Sequence, residues 1–161
     1  MKTASKCLIY NSATNSIVCC HPTGRPWKEK GSNNPAKGVF NLPGGEIDEG
    51  ETPEDAMIRE IKEELSYTLD KSRLQHIGPY DYTKDKNWEV FFYSVEDDFD
   101  IKKLKCDSFF STSDGKILPE VNGFAWIEIE SKLDWINFAA QKVIKKVLKD
   151  YGDKLFNTLD K

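Results

Sequence analysis

The chain has 161 residues, of which 39% are hydrophobic, 12% aromatic and 31% charged, with a net charge of −4 at pH 7. That apolar content can bury a core, and the length fits one domain spanning residues 1–161, so a largely disordered chain is excluded. The acidic balance also argues against a protein that coats long nucleic acid, which needs a basic surface to displace counterions, while a small phosphorylated ligand stays compatible with it.

The opening MKTASKCLIYNS has too short an apolar stretch for the ~7–15 residues of a signal-peptide core or the ~20 of a membrane span, so a cytoplasmic location without a membrane partner is expected. Cys7, Cys19, Cys20 and Cys106 have neither zinc-site spacing nor the density of a disulfide scaffold and read as reduced thiols. Apolar runs at Cys7 to Tyr10 and Ile17 to His21, around a polar Asn11 to Asn15, predict a β-hairpin. From His21 to Gly38 the chain is rich in Pro, Gly, Asn and Lys and reads as a surface loop. Val39 to Leu42 is a short strand candidate closed by Pro43, Gly44 and Gly45.

A helix is predicted over Pro53 to Leu65. Thr52 can cap it, Pro53 suits its first position, and Glu54 and Asp55 place negative charge at the positive end of the helix dipole. Leu74 to Ile77, Trp88 to Val95 and Phe124 to Ile129 read as strands from their aromatic and β-branched content. Asp97 to Asp100, with the 102–105 stretch, reads as a charged connection, and Phe109 to Gly115 as a Ser-rich loop. A last helix is expected over Ile136 to Tyr151, where Ile136, Ala140, Val143, Val147 and Tyr151 recur at helical spacing and the lysines face solvent. Strands interspersed with two helices imply an α/β layered domain, a mixed sheet flanked by helices.

On the first helix, a turn of about 100° per residue gathers Glu60, Glu63 and Glu64 in one quadrant, with Ile58, Ile61 and Leu65 on another side. Three like charges at such spacing destabilise a helix unless a cation sits among them. Hard carboxylate oxygens, with no imidazole or thiolate nearby, suit Mg²⁺, or Mn²⁺ as a substitute.

The stretch GGEIDEGETPEDAMIREIKEELSY resembles the Nudix box, G-x5-E-x7-R-E-U-x-E-E-x-G-U with U a bulky aliphatic, and Gly45, Glu51, Arg59, Glu60, Ile61, Glu63 and Glu64 fall on pattern. Ser66 stands where the pattern has Gly, and Tyr67 where it has an aliphatic, which draws attention to how the helix ends. The resemblance implies a Nudix-like α/β/α sandwich that hydrolyses a phosphoanhydride. It also implies that Glu60, Glu63, Glu64 and the Gly45 carbonyl hold the metal, and that Glu51 pairs with Arg59. The general base is Glu64 within the box or Glu120 in PEVNGFAWIEI, which resembles the glutamate-then-tryptophan segment near the end of such domains.

The implied substrate is a small nucleotide: a nucleoside diphosphate linked to another group, such as ADP-ribose or a dinucleoside polyphosphate, with nucleoside triphosphates also in range. Arg25, Lys28, Lys30 and Lys37 are candidates to hold phosphate or ribose, and Trp27 and Trp88 to stack on a base. The alternatives are an RNA 5′-end pyrophosphohydrolase, or a catalytically silent domain that senses a nucleotide or binds a protein. Oligomeric state is not readable from the sequence.

Overall fold

The structure, a computed structural model, describes residues 2–96 and 98–157. Strands β1 (Lys2–Asn11) and β2 (Ser16–Pro22) form the expected hairpin, with Tyr10 opposite Ile17 and Asn11 opposite Ser16. Beyond those two rungs the strands part. The wedge between them is filled by the chain that follows: Asn41 bridges Cys20, the Cys7 N–H donates to the Pro43 carbonyl at 3.0 Å, and β3 (Gly44–Glu46) pairs antiparallel with Ala4 to Lys6. The strand expected over Val39 to Leu42 is therefore only isolated bridges, and the regular pairing falls one step later on the glycine pair. Gly44, at φ 137, has a backbone that side chains rarely adopt, and a Cβ there would run into the Ser5 carbonyl oxygen.

Helix α1 (Pro53–Leu65) follows, then β4 (Gln75–Thr83) and β5 (Lys86–Val95), which start earlier or run longer than their apolar centres indicated. Asp97, the first residue of the expected charged connection, lies outside the described residues. The supposed Ser-rich loop is instead half of a small hairpin, β6 (Phe109–Ser111) with β7 (Ile117–Pro119). Strand β8 (Val121–Glu128) and helix α2 (Phe138–Leu155) complete the order. The main sheet runs β4-β5-β1-β2-β8, with β3 also on β1; β1 and β5 are parallel and the other pairs antiparallel.

Alternation along β1 divides the core. Cys7 and Ile9 join Met57, Ile61 and Leu65 under α1, while Leu8 and Tyr10 join Trp88, Val143 and Val147 under α2. The result is an α/β/α sandwich with α1 and α2 on opposite faces. All four cysteines are buried free thiols, and burial pushes Cys7, Cys19 and Cys20 up, away from thiolate chemistry. Among the described residues no helix is long and apolar enough to cross a membrane.

Candidate active site

The first helix forms as its caps dictate. The Thr52 hydroxyl accepts from the Asp55 N–H at 3.1 Å, Pro53 opens the helix, and Ser66 ends it at φ 55, ψ 35, the left-handed geometry the Gly slot implies. The Ser66 N–H returns to the Lys62 carbonyl, and its hydroxyl donates to the Lys105 carbonyl at 2.6 Å. Ala56, Met57, Ile61 and Leu65 are buried, whereas Ile58 is only partly so. This stripe fixes which way the three glutamates point.

Arg59 lies at the centre. Its Nε donates to Glu51 Oε2 at 2.7 Å and its Nη2 to Glu51 Oε1 at 2.9 Å, a bidentate pair that ties the 48–52 loop to the helix. Nη2 also donates to the Glu46 carbonyl at 3.1 Å and lies 3.4 Å from Asp48. Nη1 donates to Glu60 at 2.9 Å and, more loosely, to Glu63 at 3.3 Å. The Arg59 bonds, with the Asp48 N–H, hold the Glu51 carboxyl down at about 2.

Glu64 differs from its neighbours. It is buried, and its Oε1 accepts from the Gly44 N–H at 2.6 Å. Burial pushes its carboxyl up to about 7; Glu60 and Glu120 add to the rise, while Lys6 and the Gly44 N–H oppose it. Glu60 is also raised, first by burial, against the pull of Arg59. Gly45 leaves room for it: a Cβ there would sit 2.5 Å from the Glu60 carboxyl carbon and 2.6 Å from both oxygens. The Gly44–Gly45 backbone, Glu60 and Glu64 are thus in immediate contact.

Among the described residues, no three acidic, histidine or cysteine side chains converge as they stand on one point that would hold an ion. Glu60 and Glu63 turn to Arg59, and Glu64 turns to Gly44. The donor chemistry still fits a hard cation, because every available group is a carboxylate or backbone oxygen. Glu120 is exposed at the foot of β8; its N–H donates to the Ser108 carbonyl at 2.9 Å and its carbonyl accepts from the Thr23 N–H at 3.2 Å.

The residues expected to bind substrate are more scattered. Trp88 is 1% exposed, its ring stacked under Tyr82 at 4.1 Å within the α2-side core. Its aromatic character reflects packing, and the expectation that it stacks on a base is corrected. Trp27 is exposed, but one face stacks on His21 at 3.6 Å and its edge covers Gly123, beside Phe40 of the α2-side core. It sits on the side of the sheet away from α1, apart from the carboxylates. Arg25, Lys28 and Lys30 are exposed along the loop, and Lys37 pairs with Asp134 at 3.4 Å.

Lys6 was not foreseen. Its Nζ donates to the carbonyls of Leu42 at 3.1 Å and Gly44 at 3.2 Å, gripping the same segment whose N–H meets Glu64. The local signal is a cation placed directly before the apolar run Cys7 to Tyr10 of β1.

The family model for the NUDIX domain matches residues 3–146. The chain is 30% identical over 108 residues to the nucleoside triphosphatase NudI of Escherichia fergusonii, covering 66% of this chain and 74% of that protein. It is 63% identical to the ADP-ribose pyrophosphatase of Methanocaldococcus jannaschii over 35 residues, 22% of this chain and 21% of that protein. It spans 60% of the length of a further relative, from phage T4. Its fold is similar to the MutT/nudix family protein from Enterococcus faecalis, with a TM-score of 0.60 at 14% identity, over 95% of this chain and 62% of that one. The chain belongs to the Nudix hydrolase family.

Proposed function

We propose that the protein is a Mg²⁺-dependent pyrophosphohydrolase, with Mn²⁺ as a substitute, cleaving a nucleoside diphosphate linked to another group by attack of water on phosphorus. The observation that carries this reading is the Glu51–Arg59 bidentate pair, which fixes the loop against α1 under three clustered glutamates and one glycine carbonyl. Glu60, Glu63, Glu64 and the Gly45 carbonyl would hold the ion; Glu63, the most exposed and the most loosely bound to Arg59, is the one free to turn. The ion when bound supplies positive charge to the non-bridging oxygens and lowers the pKa of a bound water.

The chain's own groups do the rest. Arg59 keeps the carboxylates from repelling one another, and the Gly44 N–H fixes the orientation of Glu64. Glu64, buried and oriented by the Gly44 N–H, is one candidate base, and Glu120 is the second. Likeness to the nucleoside triphosphatase extends over two thirds of the chain, whereas likeness to the ADP-ribose pyrophosphatase is confined to 35 residues. Nucleoside triphosphates therefore join ADP-ribose and dinucleoside polyphosphates as the substrates to try.

The test is a panel of these three classes, assayed for nucleoside monophosphate with Mg²⁺, with Mn²⁺ and with chelator. Turnover of at least one class, lost on chelation, is expected. No turnover of any, or turnover that survives chelation, overturns the reading.

A further inference from the structure

The β6–β7 hairpin has no place in the sandwich. Among the described residues its two strands of three residues pair only with each other, Phe109 opposite Pro119, Phe110 opposite Leu118 and Ser111 opposite Ile117. Such a ribbon is marginal alone, yet it holds Phe109 at 53%, Phe110 at 39% and Ile117 at 72% exposure, a cost in water that wants a partner. The hairpin is polar at its far tip, Thr112 to Lys116, so the aromatic rings lie near its feet.

Those feet stand on the candidate site. The Asp107 N–H donates to the Glu63 carbonyl at 2.6 Å and the Lys105 N–H to the Leu65 carbonyl at 3.0 Å, which fastens one foot to the end of α1. The other foot is Glu120, joined to the first by its bond to Ser108. Phe109 and Phe110 follow Asp107, itself bonded to the Glu63 carbonyl, by two and three residues, and each residue of a strand adds roughly 3.3 Å, so both rings stand close to the end of α1. A nucleotide whose diphosphate lies over α1 can bring its base to such a neighbouring surface. Trp27, also exposed, packs beside Phe40 of the core on the far side of the sheet.

We infer that the hairpin is the nucleobase platform of the site, with the ring of Phe109 or Phe110 stacking on the base of the bound nucleotide. The inference rests on the nucleotide reading above but not on turnover. A flat ring suits any base, and base stacking is worth ~1–3 kcal/mol when removed by alanine, about tenfold or more in affinity. The two rings point to opposite faces of the ribbon, so single variants separate them.

The experiment is a titration of AMP and of ribose 5-phosphate, with Mg²⁺ present, into the wild type, Phe109→Ala and Phe110→Ala, with Phe→Leu at each position as a variant that keeps apolar bulk. One alanine variant is expected to weaken AMP by about tenfold or more while ribose 5-phosphate binding stays unchanged, and its leucine counterpart to recover only part. Because binding is read directly, a catalytically silent wild type that still prefers AMP would sink the hydrolase reading and leave the platform standing. The platform is overturned if the wild type binds AMP no better than ribose 5-phosphate, or if both alanine variants bind AMP normally. It is also overturned if the variants convert a dimer to a monomer in sedimentation with nucleotide affinity intact, which would assign the apolar ribbon to a second copy of the chain.

Discussion

Helix α1 and the β6–β7 hairpin meet where Lys105 and Asp107 bond to the end of the helix, but are built on opposite principles. The helix is capped at both ends, nailed down by Met57, Ile61 and Leu65, and each of its three glutamates has a named donor. Among the described residues the two hairpin strands pair only with each other, and they leave aromatic rings in water. Charge chemistry needs positions held to a fraction of an ångström, whereas recognition of a flat base tolerates a surface held only at its feet. The fold therefore spends its core on one and its loops on the other.

The comparison can be broken most forcefully through Trp88, in the core on the α2 face of the sheet whose other face carries α1. Lys6, whose ammonium grips Leu42 and Gly44, lies 5.4 Å over the Trp88 ring. Trp88→Ala should lower stability by about 3–5 kcal/mol, as for other buried aromatics. Phe109→Ala, on the free ribbon, should cost less than about 0.5 kcal/mol. Chemical denaturation of both variants decides it, and equal losses would mean that the hairpin is part of the cooperative core.

Glu64→Gln is the next largest effect. Loss of a ligand or base acting in the transition state should lower kcat by on the order of 10² or more, with KM much less affected. Glu120→Gln tests the second base, and the residue that serves is the one whose loss removes the acidic limb of the kcat profile. The same Glu64 variant has an opposite effect on the metal-free fold. A carboxyl raised from 4.5 to about 7 ionises in the unfolded chain first, so stability falls as pH rises from about 4.5 to 7 and stays low above that. At pH 8 without metal, Glu64→Gln should therefore be the more stable protein by roughly 2–3 kcal/mol. A melting curve showing no gain would mean that Glu64 is not carried as a buried, uncompensated acid.

The difference between the two regions also explains what the sequence made legible. Local chemistry dictates α1: Thr52, Pro53 and the Ile61 stripe are readable signals, and the helix falls where they place it. The β1–β2 hairpin and α2 were equally visible through apolar periodicity, although α2 starts and ends a few residues later than its pattern. Strand β3 was not visible, because a glycine pair has no strand propensity and becomes one only through Ala4 to Lys6 across the wedge. The β6–β7 ribbon was hidden by its serines and its brevity. Trp88 and Trp27 were read from side-chain type alone, and type does not say which side of a sheet a residue faces in the tertiary context.

A smaller effect belongs to the lock between loop and helix. Glu51→Gln keeps the size of the side chain but gives up the ionic half of its bidentate bond to Arg59. The Mg²⁺ concentration needed for half-maximal rate should rise several-fold, since Arg59 would be freer to stay with Glu60 and Glu63. The pH dependence has a definite sign: a carboxyl held near 2 against an ordinary 4.5 contributes stability above about 4.5 that is lost as pH falls towards 2. The variant should therefore lose less stability than the wild type on acidification from pH 5 to pH 3. A variant with the wild-type acid slope would show that the pair is too well solvated to matter.

The smallest effect is at Ser66, where a gain in backbone relief opposes two losses. Holding a residue with a side chain at φ 55 costs up to ~1 kcal/mol relative to glycine, so Ser66→Gly relieves strain. The same change removes the 2.6 Å bond from the hydroxyl to the Lys105 carbonyl, worth about 0.5–1.5 kcal/mol, and loosens the unfolded chain. Near-neutral stability is expected for Ser66→Gly, because these terms largely cancel. Ser66→Ala keeps the left-handed strain and loses the bond, so it should be destabilised by about 1 kcal/mol. The gap between the two variants in equilibrium unfolding thus measures the strain less the extra freedom that glycine gives the unfolded chain. If glycine proves as costly as alanine, the left-handed turn carries no penalty here beyond that freedom, and the hydroxyl that ties the end of α1 to the segment leading into the hairpin is the whole reason a serine can stand in the glycine slot.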